Sequence, residues 1–230
     1  PQASAEHQHL IHHFLLRLPS VMPPGQLQLT LIHPLQLGQS IEPFLPLLTV
    51  AALVPQQRVL TRSDEIETIL GKLTDEVEEL IQHRFNRRAS NWSDYNANNA
   101  ETPLSYKVVL LFDVPEQLSE KSLWFLGRLC ENGPRCGVLP ILAVDGDRMD
   151  DRRHEKFRAT VGASAMPLDA LLRGADTDGS DLSLAYQPEP WPRHDLLDGF
   201  ISALAARYAA KARFSKSMPD LWVNLAAGAT

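Results

Sequence analysis

The chain has 230 residues, enough for one large domain or for a domain with a small appendage. It is 44% hydrophobic and 22% charged, the values of an ordinary soluble globular protein. A formal charge of −6 excludes a global basic field that would attract nucleic acid, so any DNA contact needs a local patch. The longest apolar run, Leu45 to Val54, is broken by Pro46 and falls short of the ~20 residues that span a bilayer.

Glu6 to Leu18 opens the chain with apolar residues at Leu10, Ile11, Phe14, Leu15 and Leu18, the spacing of an amphipathic helix. The helix is expected to stop before Pro19, which lacks the N–H that another turn needs. Pro23-Pro24-Gly25 then turns the chain into a strand, Leu27 to Ile32. Four histidines (His7, His9, His12 and His13) fall on the helix. His9 and His13 are one turn apart and able to share an ion, but no carboxylate or cysteine follows at ligand spacing, so they read as polar-face residues.

After His33-Pro34-Leu35-Gln36-Leu37-Gly38-Gln39 a proline-broken apolar region runs to Val54, and Arg58 to Thr61 reads as a short strand. The strongest helix runs from Ser63 to about Arg88, with Ile66, Ile69, Leu70, Leu73, Val77, Leu80 and Ile81 on one face. Asp64, Glu65 and Glu67 load its start; Arg84, Arg87 and Arg88 load its end, as the helix dipole prefers. That basic end is also able to touch phosphates. Asn91 to Thr102 is a polar connector with a short helical turn.

Tyr106 to Asp145 carries the centre of the fold. Val108 to Phe112 is an unbroken apolar run that stops at Asp113; Val114-Pro115-Glu116 turns, and Ser119 to Asn132 is amphipathic. Gly133-Pro134-Arg135 breaks that helix ahead of a second buried run, Cys136 to Val144. Strand, helix and strand make a βαβ unit, and strands apolar on both faces belong to a parallel sheet between helices, an α/β fold. A carboxylate at the C-terminal end of such a strand, here Asp113, faces the crevice where α/β folds bind ligands. It suits a residue that merely caps the turn equally well. Cys130 and Cys136, six positions apart, read as a reduced, buried pair in a cytosolic protein.

Gly146 to His154 reads as a charged surface loop or short helix. Gly174 to Ser180 is a loop whose acids miss the EF-hand positions. Leu182 to Tyr186 suits a strand, and Pro188, Pro190 and Pro192 an extended lead-in. His194 to Arg213 is the last helix, with Leu196, Leu197, Phe200, Ile201, Leu204 and Tyr208 as its apolar face; Leu221 to Leu225 suits a closing strand. With neither signal peptide nor initiator Met, the chain reads as a segment of a longer protein.

In their order these elements resemble the ATPase core of the FtsK/SpoIIIE (HerA-like) family, a RecA-like P-loop fold. Leu31-Ile32-His33-Pro34-Leu35-Gln36-Leu37-Gly38 is similar to the family's LIDP-x-GLG strand end, and Tyr95-Asn96 to its connector. Tyr106 to Pro115 resembles the Walker B strand ending Asp-x-Pro, and Gly133-Pro134-Arg135-Cys136-Gly137-Val138 the later Gly-x-Arg-x-Gly-Val turn. The final helix and Pro219-Asp220-Leu221-Trp222 resemble the close of one module, where the next would begin. The resemblance implies a three-layer αβα sandwich with a mostly parallel central sheet, in which Ile32 and Asp113 both end central strands. Residues 1–230 would form one core module: 1–145 the core sheet and helices, 146–230 the C-terminal half and a tail leading to a following module. It also implies a cytoplasmic location, held at the inner face of the membrane by other parts of the full-length protein.

The departures from the family decide what function the resemblance implies. A working P-loop reads G-x-x-x-x-G-K-[ST]: its backbone amides cradle phosphates, its Lys neutralises them and its hydroxyl binds Mg²⁺. Here Pro1-Gln2-Ala3-Ser4-Ala5-Glu6-His7 holds that place, without glycine or lysine, and Glu6 would repel a phosphate. His33 stands where LIDP has its aspartate. Val114 stands where the catalytic Glu follows the Walker B Asp, and Glu116 lies three positions past Asp113. The polar sensor is lost among Ala143, Val144 and Asp145. The expectation is a degenerate ATPase module, without cofactor, acting in assembly or regulation of a DNA-translocation or secretion motor. Its partners would be other ATPase modules, in cis or trans, in a ring or tandem array. Arg135 would be a finger-like cation toward a neighbour's nucleotide, or a plain helix-end charge. The alternative is a live ATPase that moves DNA or a secreted protein. There Asp113 holds Mg²⁺, Glu116 orients the attacking water, and ATP binds at Ser4, Glu6 and His7 on the first helix N-terminus. A third reading, an unrelated α/β interaction domain, would show a sheet order unlike that of RecA.

Overall fold

Five consecutive apolar side chains, Val108 to Phe112, can be buried together only if their strand is covered on both faces. The computed structural model describes residues 5–35, 39–85, 89–99, 103–144, 152–164, 193 and 196–210, with backbone only at 5–10, 39–40 and 153. In chain order its elements are α1 (Ala5–Val21), β1 (Leu27–Ile32), a 3-10 segment Gln39–Phe44 running into α2 (Leu45–Leu48), and α3 (Ser63–Glu79) prolonged by a π turn, Leu80–Arg84. Then come α4 (Trp92–Asn98), β2 (Tyr106–Val114), α5 (Glu120–Asn132), β3 (Val138–Val144), α6 (Glu155–Ser164) and a last helix over 196–210.

β2 is the middle of a three-stranded parallel sheet, ordered β1-β2-β3. Val108, Leu110 and Phe112 pack with Ile11 and Leu15 of α1 and with Leu197, Ile201 and Tyr208 of the last helix. Val109, Leu111 and Val114 pack on the other face with Ile66 and Leu70 of α3, Leu126 and Leu129 of α5, and Phe157 of α6. These are the three layers expected. Placing Ile32 at the end of a central strand needs correction, since β1 is an edge strand among the described residues. Its outer side is sealed by loop backbone: Leu29 N–H donates to Leu53 O (2.7 Å), Leu60 N–H to Leu31 O (2.8 Å) and His33 N–H to Leu60 O (2.9 Å). The short strand expected at Arg58 to Thr61 shrinks to a single parallel bridge, Ile32 to Leu60. On β3, Lys107 N–H donates to Gly137 O (2.8 Å). That phase turns Pro140 outward, where a missing N–H costs no ladder bond.

Helix ends and faces differ from expectation in physically simple ways. α1 runs through Pro19, which in a last turn removes only one bond, and Met22 N–H still reaches Leu18 O at 3.0 Å. His13 is buried rather than on a polar face. On the last helix only Leu197, Ile201, Leu204 and Tyr208 are buried; Leu196 and Phe200 are exposed, so its apolar stripe is narrower than expected. α6 went unread because it hides one buried anchor, Phe157, in a charged stretch. Among the described residues no helix is long and apolar enough to cross a membrane. Arg87 and Arg88, Asp145 to Asp151, the loop Gly174 to Ser180, Leu182 to Tyr186, the three prolines and Leu221 to Leu225 lie outside them.

The N-terminal edge of the sheet shows what the Tyr95-Asn96 pair does. The Asn96 amide acts as a surrogate strand: Nδ2 donates to Leu104 O (2.9 Å) and Oδ1 accepts from Leu104 N–H (2.8 Å). Trp92 Nε1 donates to the same carbonyl at 3.1 Å, and its ring meets Tyr106 edge-on at 5.4 Å. That ring also covers Gly137, which has φ +76° and whose added Cβ would lie 2.2 Å from Trp92 Cδ1. Gly137→Ala should therefore lower stability in urea unfolding by about 3 kcal/mol, from backbone strain plus the clash. Gly162→Ala, in α6 with nothing within 4 Å, should raise it by roughly 0.5 kcal/mol through helix propensity. Equal effects at the two sites would contradict the packing described.

Candidate functional site

Parallel strands in register deliver whatever follows them to one crevice. Ile32 pairs with Leu111, so β1 hands over to His33 where β2 hands over to Phe112 and Asp113. The register with β3 then shifts. Leu111 pairs with Leu142 and Val114 with Val144, so three steps along β2 match two along β3. The extra residue is a β-bulge, a device that re-aims a side chain at the end of a strand. Asp113 lies within it at φ 59°, in the left-handed region that Asp enters more readily than most residues. The Val114–Pro115 peptide is cis, and Glu116 N–H donates to Asp113 O at 2.7 Å, closing the turn.

The re-aimed carboxylate meets His33. Asp113 Oδ2 lies 3.2 Å from His33 Nε2, with the histidine side chain 1% exposed and the aspartate 21%. The imidazole stacks on Phe112 with centroids 4.5 Å apart and planes 28° from parallel. The approach is off the N–H line. Neither Asp113 Oδ2 nor His33 Nδ1 has a hydrogen-bond partner among the described residues. Burial holds the His33 pKa below its ordinary 6.5, and the Asp113 charge, pulling upward, does not overcome it. The ring is therefore held toward its neutral form at pH 7. In the sequence His33 stood out only as a replaced aspartate. The signal that would have found the pair is a polar residue close behind each of two apolar runs that pair side by side.

The other expected site residues divide between the two ends of the sheet. Glu116 is half-buried in the Asp113 turn. Ser4 lies outside the described residues; Glu6 and His7 lie in the first turn of α1, their side chains outside them. α1 runs antiparallel to β1: its last turn meets the far helix through Arg207 Nη1 to Ser20 O (3.0 Å), while His12 packs 5.4 Å from Phe44, beyond the end of β1. Its first turn is thus at the same end of the sheet as Asp113. Arg135 is at the other end, where Nε donates to Ser90 O at 2.6 Å and the guanidinium sits 5.8 Å from the Phe85 ring. It occupies the end of α5, as a helix-end charge would. Beside the Asp113 turn, Ser119 caps α5 by accepting from Ser122 N–H (3.0 Å) and donates to Glu67 Oε2 (2.7 Å). That bond and Lys121 hold the Glu67 carboxyl below its usual range.

Among the described residues no group of three metal-type side chains gathers. Cys130 and Cys136 are free and buried. Burial, with Glu131 adding to it, pushes the Cys130 thiol up to about 11, so it is protonated and unreactive at neutral pH.

Solved structures share the fold. The cytoplasmic domain of EssC is similar with a TM-score of 0.61, over 87% of this chain and 43% of that one, at 14% identity. EssC (ATPases 2 and 3) from Geobacillus thermodenitrificans is similar with a TM-score of 0.52, over 65% of this chain and 28% of that one, at 17% identity. The chain therefore matches less than half the length of either. No family model and no curated protein matches the sequence. What the likeness establishes is the fold: a RecA-like three-layer sandwich, with helices on both faces of a parallel sheet.

The histidine sets a pH dependence whose sign is fixed. Its folded pKa lies below the unfolded 6.5, so the unfolded chain binds more protons between the two values. The His33 contribution to stability is complete above 6.5 and is lost as pH falls through the lowered folded value. Urea unfolding from pH 7.5 to 5 should show a steeper acid limb for the wild type than for His33→Gln. Parallel limbs would contradict the buried neutral ring.

Proposed function

We propose that the chain is a non-hydrolysing ATPase-fold module of an FtsK/SpoIIIE-type motor, serving assembly or regulation beside other ATPase modules in cis or trans. The observation that carries this reading is the contact between Asp113 and His33. In a working site the strand-end aspartate holds Mg²⁺, which neutralises the phosphates during transfer. A magnesium ion keeps several waters and binds through open carboxylate oxygens. Here one of those oxygens faces an imidazole that is itself buried.

Sequence supports the same conclusion at two further points. Glu6 and His7 sit in the helix turn where a P-loop places Lys and Ser or Thr. Val114 rather than a glutamate follows Asp113. Neighbouring modules as partners fit one structural relative, EssC (ATPases 2 and 3), of which this chain matches 28% of the length. The net charge of −6 favours a protein surface over DNA as what the module touches.

Isothermal titration with ATP·Mg²⁺ at pH 7.5 tests the reading. The expected result is no binding in the micromolar range, which corresponds to less than about 8 kcal/mol of binding free energy. Micromolar binding abolished by Asp113→Ala would overturn it and install the live ATPase instead.

A further inference from the structure

A groove of about 610 Å³ lies between α5 and α6, with the buried residues Leu123, Gly127 and Phe157 in its lining. The two helices come close there, since a Cβ added at Gly127 would lie 3.4 Å from Thr160 Cγ2. Trp124 stands on the wall of the groove, 57% exposed, and is the largest exposed apolar side chain among the described residues. Its ring is held in place. It meets Phe125 edge-on with centroids 5.2 Å apart, and the Arg128 guanidinium sits 6.0 Å from its centre. Both neighbours are anchored on α3: the Phe125 ring lies over Gly71, and Arg128 Nη2 donates to Glu78 Oε1 at 3.1 Å. An exposed ring already fixed before contact avoids much of the ordering cost of binding, and tryptophan is among the side chains that anchor interfaces.

Knob and hole thus lie side by side on one patch. A two-fold interface requires that arrangement, because one surface supplies both sides and every contact occurs twice. Charge points to the same occupant. Exposed Glu120, Glu131 and Glu155 line the groove together with exposed Arg128, Arg152 and Lys156, so the patch is locally neutral and carries both signs. Two copies of a chain with net charge −6 repel each other over most of their surface. A face of mixed sign is where a second copy meets opposite charges, whereas a partner of a single sign would meet like ones. We propose that the groove between α5 and α6 is a two-fold interface with a second copy of this chain, each Trp124 entering the groove of the other. The inference goes beyond the proposed function, which names no docking face, and it does not depend on nucleotide.

Sedimentation equilibrium of the full chain, over about 1 to 100 μM, tests the interface. The expected result is a rise with concentration to twice the chain mass and no further, since such a contact closes at two. Trp124→Ala should weaken the dimer by about tenfold or more, and Thr160→Arg, which fills the groove, should weaken it too. A mixture of the two variants keeps one of the two insertions, so it should associate more tightly than either variant alone. A monomer throughout overturns the proposal and leaves the groove to a different protein. Masses beyond two overturn the two-fold geometry, as does a mixture no tighter than its components. A dimer untouched by Trp124→Ala uses another face and overturns the proposal as well. Should Thr160→Arg not fold, Trp124→Ala decides alone, since that ring belongs to neither core cluster. The two claims fail separately. ATP·Mg²⁺ binding would remove the non-hydrolysing reading and leave the dimer intact; a monomer without nucleotide binding would do the reverse.

Discussion

β2 has to bury apolar side chains on two faces and then end in a carboxylate, and these demands conflict at Asp113. Strict alternation would send residue 113 to the same apolar layer as Val109 and Leu111. The bulge between Leu111 and Val114 resolves the conflict by inserting one residue, so that Val114 takes the place in the layer and Asp113 is turned aside. His33 is there to receive it because β1 and β2 are in register up to Ile32 and Leu111. The site is thus a product of strand register. Neither residue would meet the other if either strand slipped by one.

This also explains how much of the molecule its sequence disclosed. The layers were legible because both faces of the sheet are written in runs and stripes: Val108 to Phe112 on β2, and Ile66, Leu70, Leu73 and Val77 on α3, match the periods of strand and helix. Asp113 was legible as a strand-end carboxylate. Its direction was not, since a bulge and a φ of 59° leave no mark on hydrophobic periodicity. His33 carried a clue only in its position behind β1. The edge placement of β1 was hidden for a different reason: the backbone that seals it, from Leu53 to Leu60, has no regular pattern. Arg135 could be read two ways because the sequence does not say that Ser90 and Phe85 lie within its reach.

Electrostatics set the character of the crevice. A strand-end aspartate in an open site is a ligand for hard cations. The same aspartate against a buried, stacked histidine is half of a closed contact that leaves its own Oδ2 and the histidine Nδ1 without a hydrogen bond among the described residues. Such a contact is poorly satisfied. The fold shared with EssC structures supplies the frame, at identities of 14% and 17% that carry nothing about chemistry. The chemistry must be read from His33 and Asp113 themselves.

Whether these two side chains act as a unit is the point on which the account stands, and a double-mutant cycle measures it most directly. His33→Phe keeps the stack on Phe112, and Asp113→Asn keeps a residue that tolerates positive φ. Urea unfolding of the wild type, both single variants and the double variant at pH 7.5 gives their coupling energy. A coupling of about 1 kcal/mol or more is expected for residues in contact. Additivity within about 0.3–0.5 kcal/mol, the behaviour of independent sites, would mean that the carboxylate and the imidazole are merely neighbours and that the crevice is not closed by them.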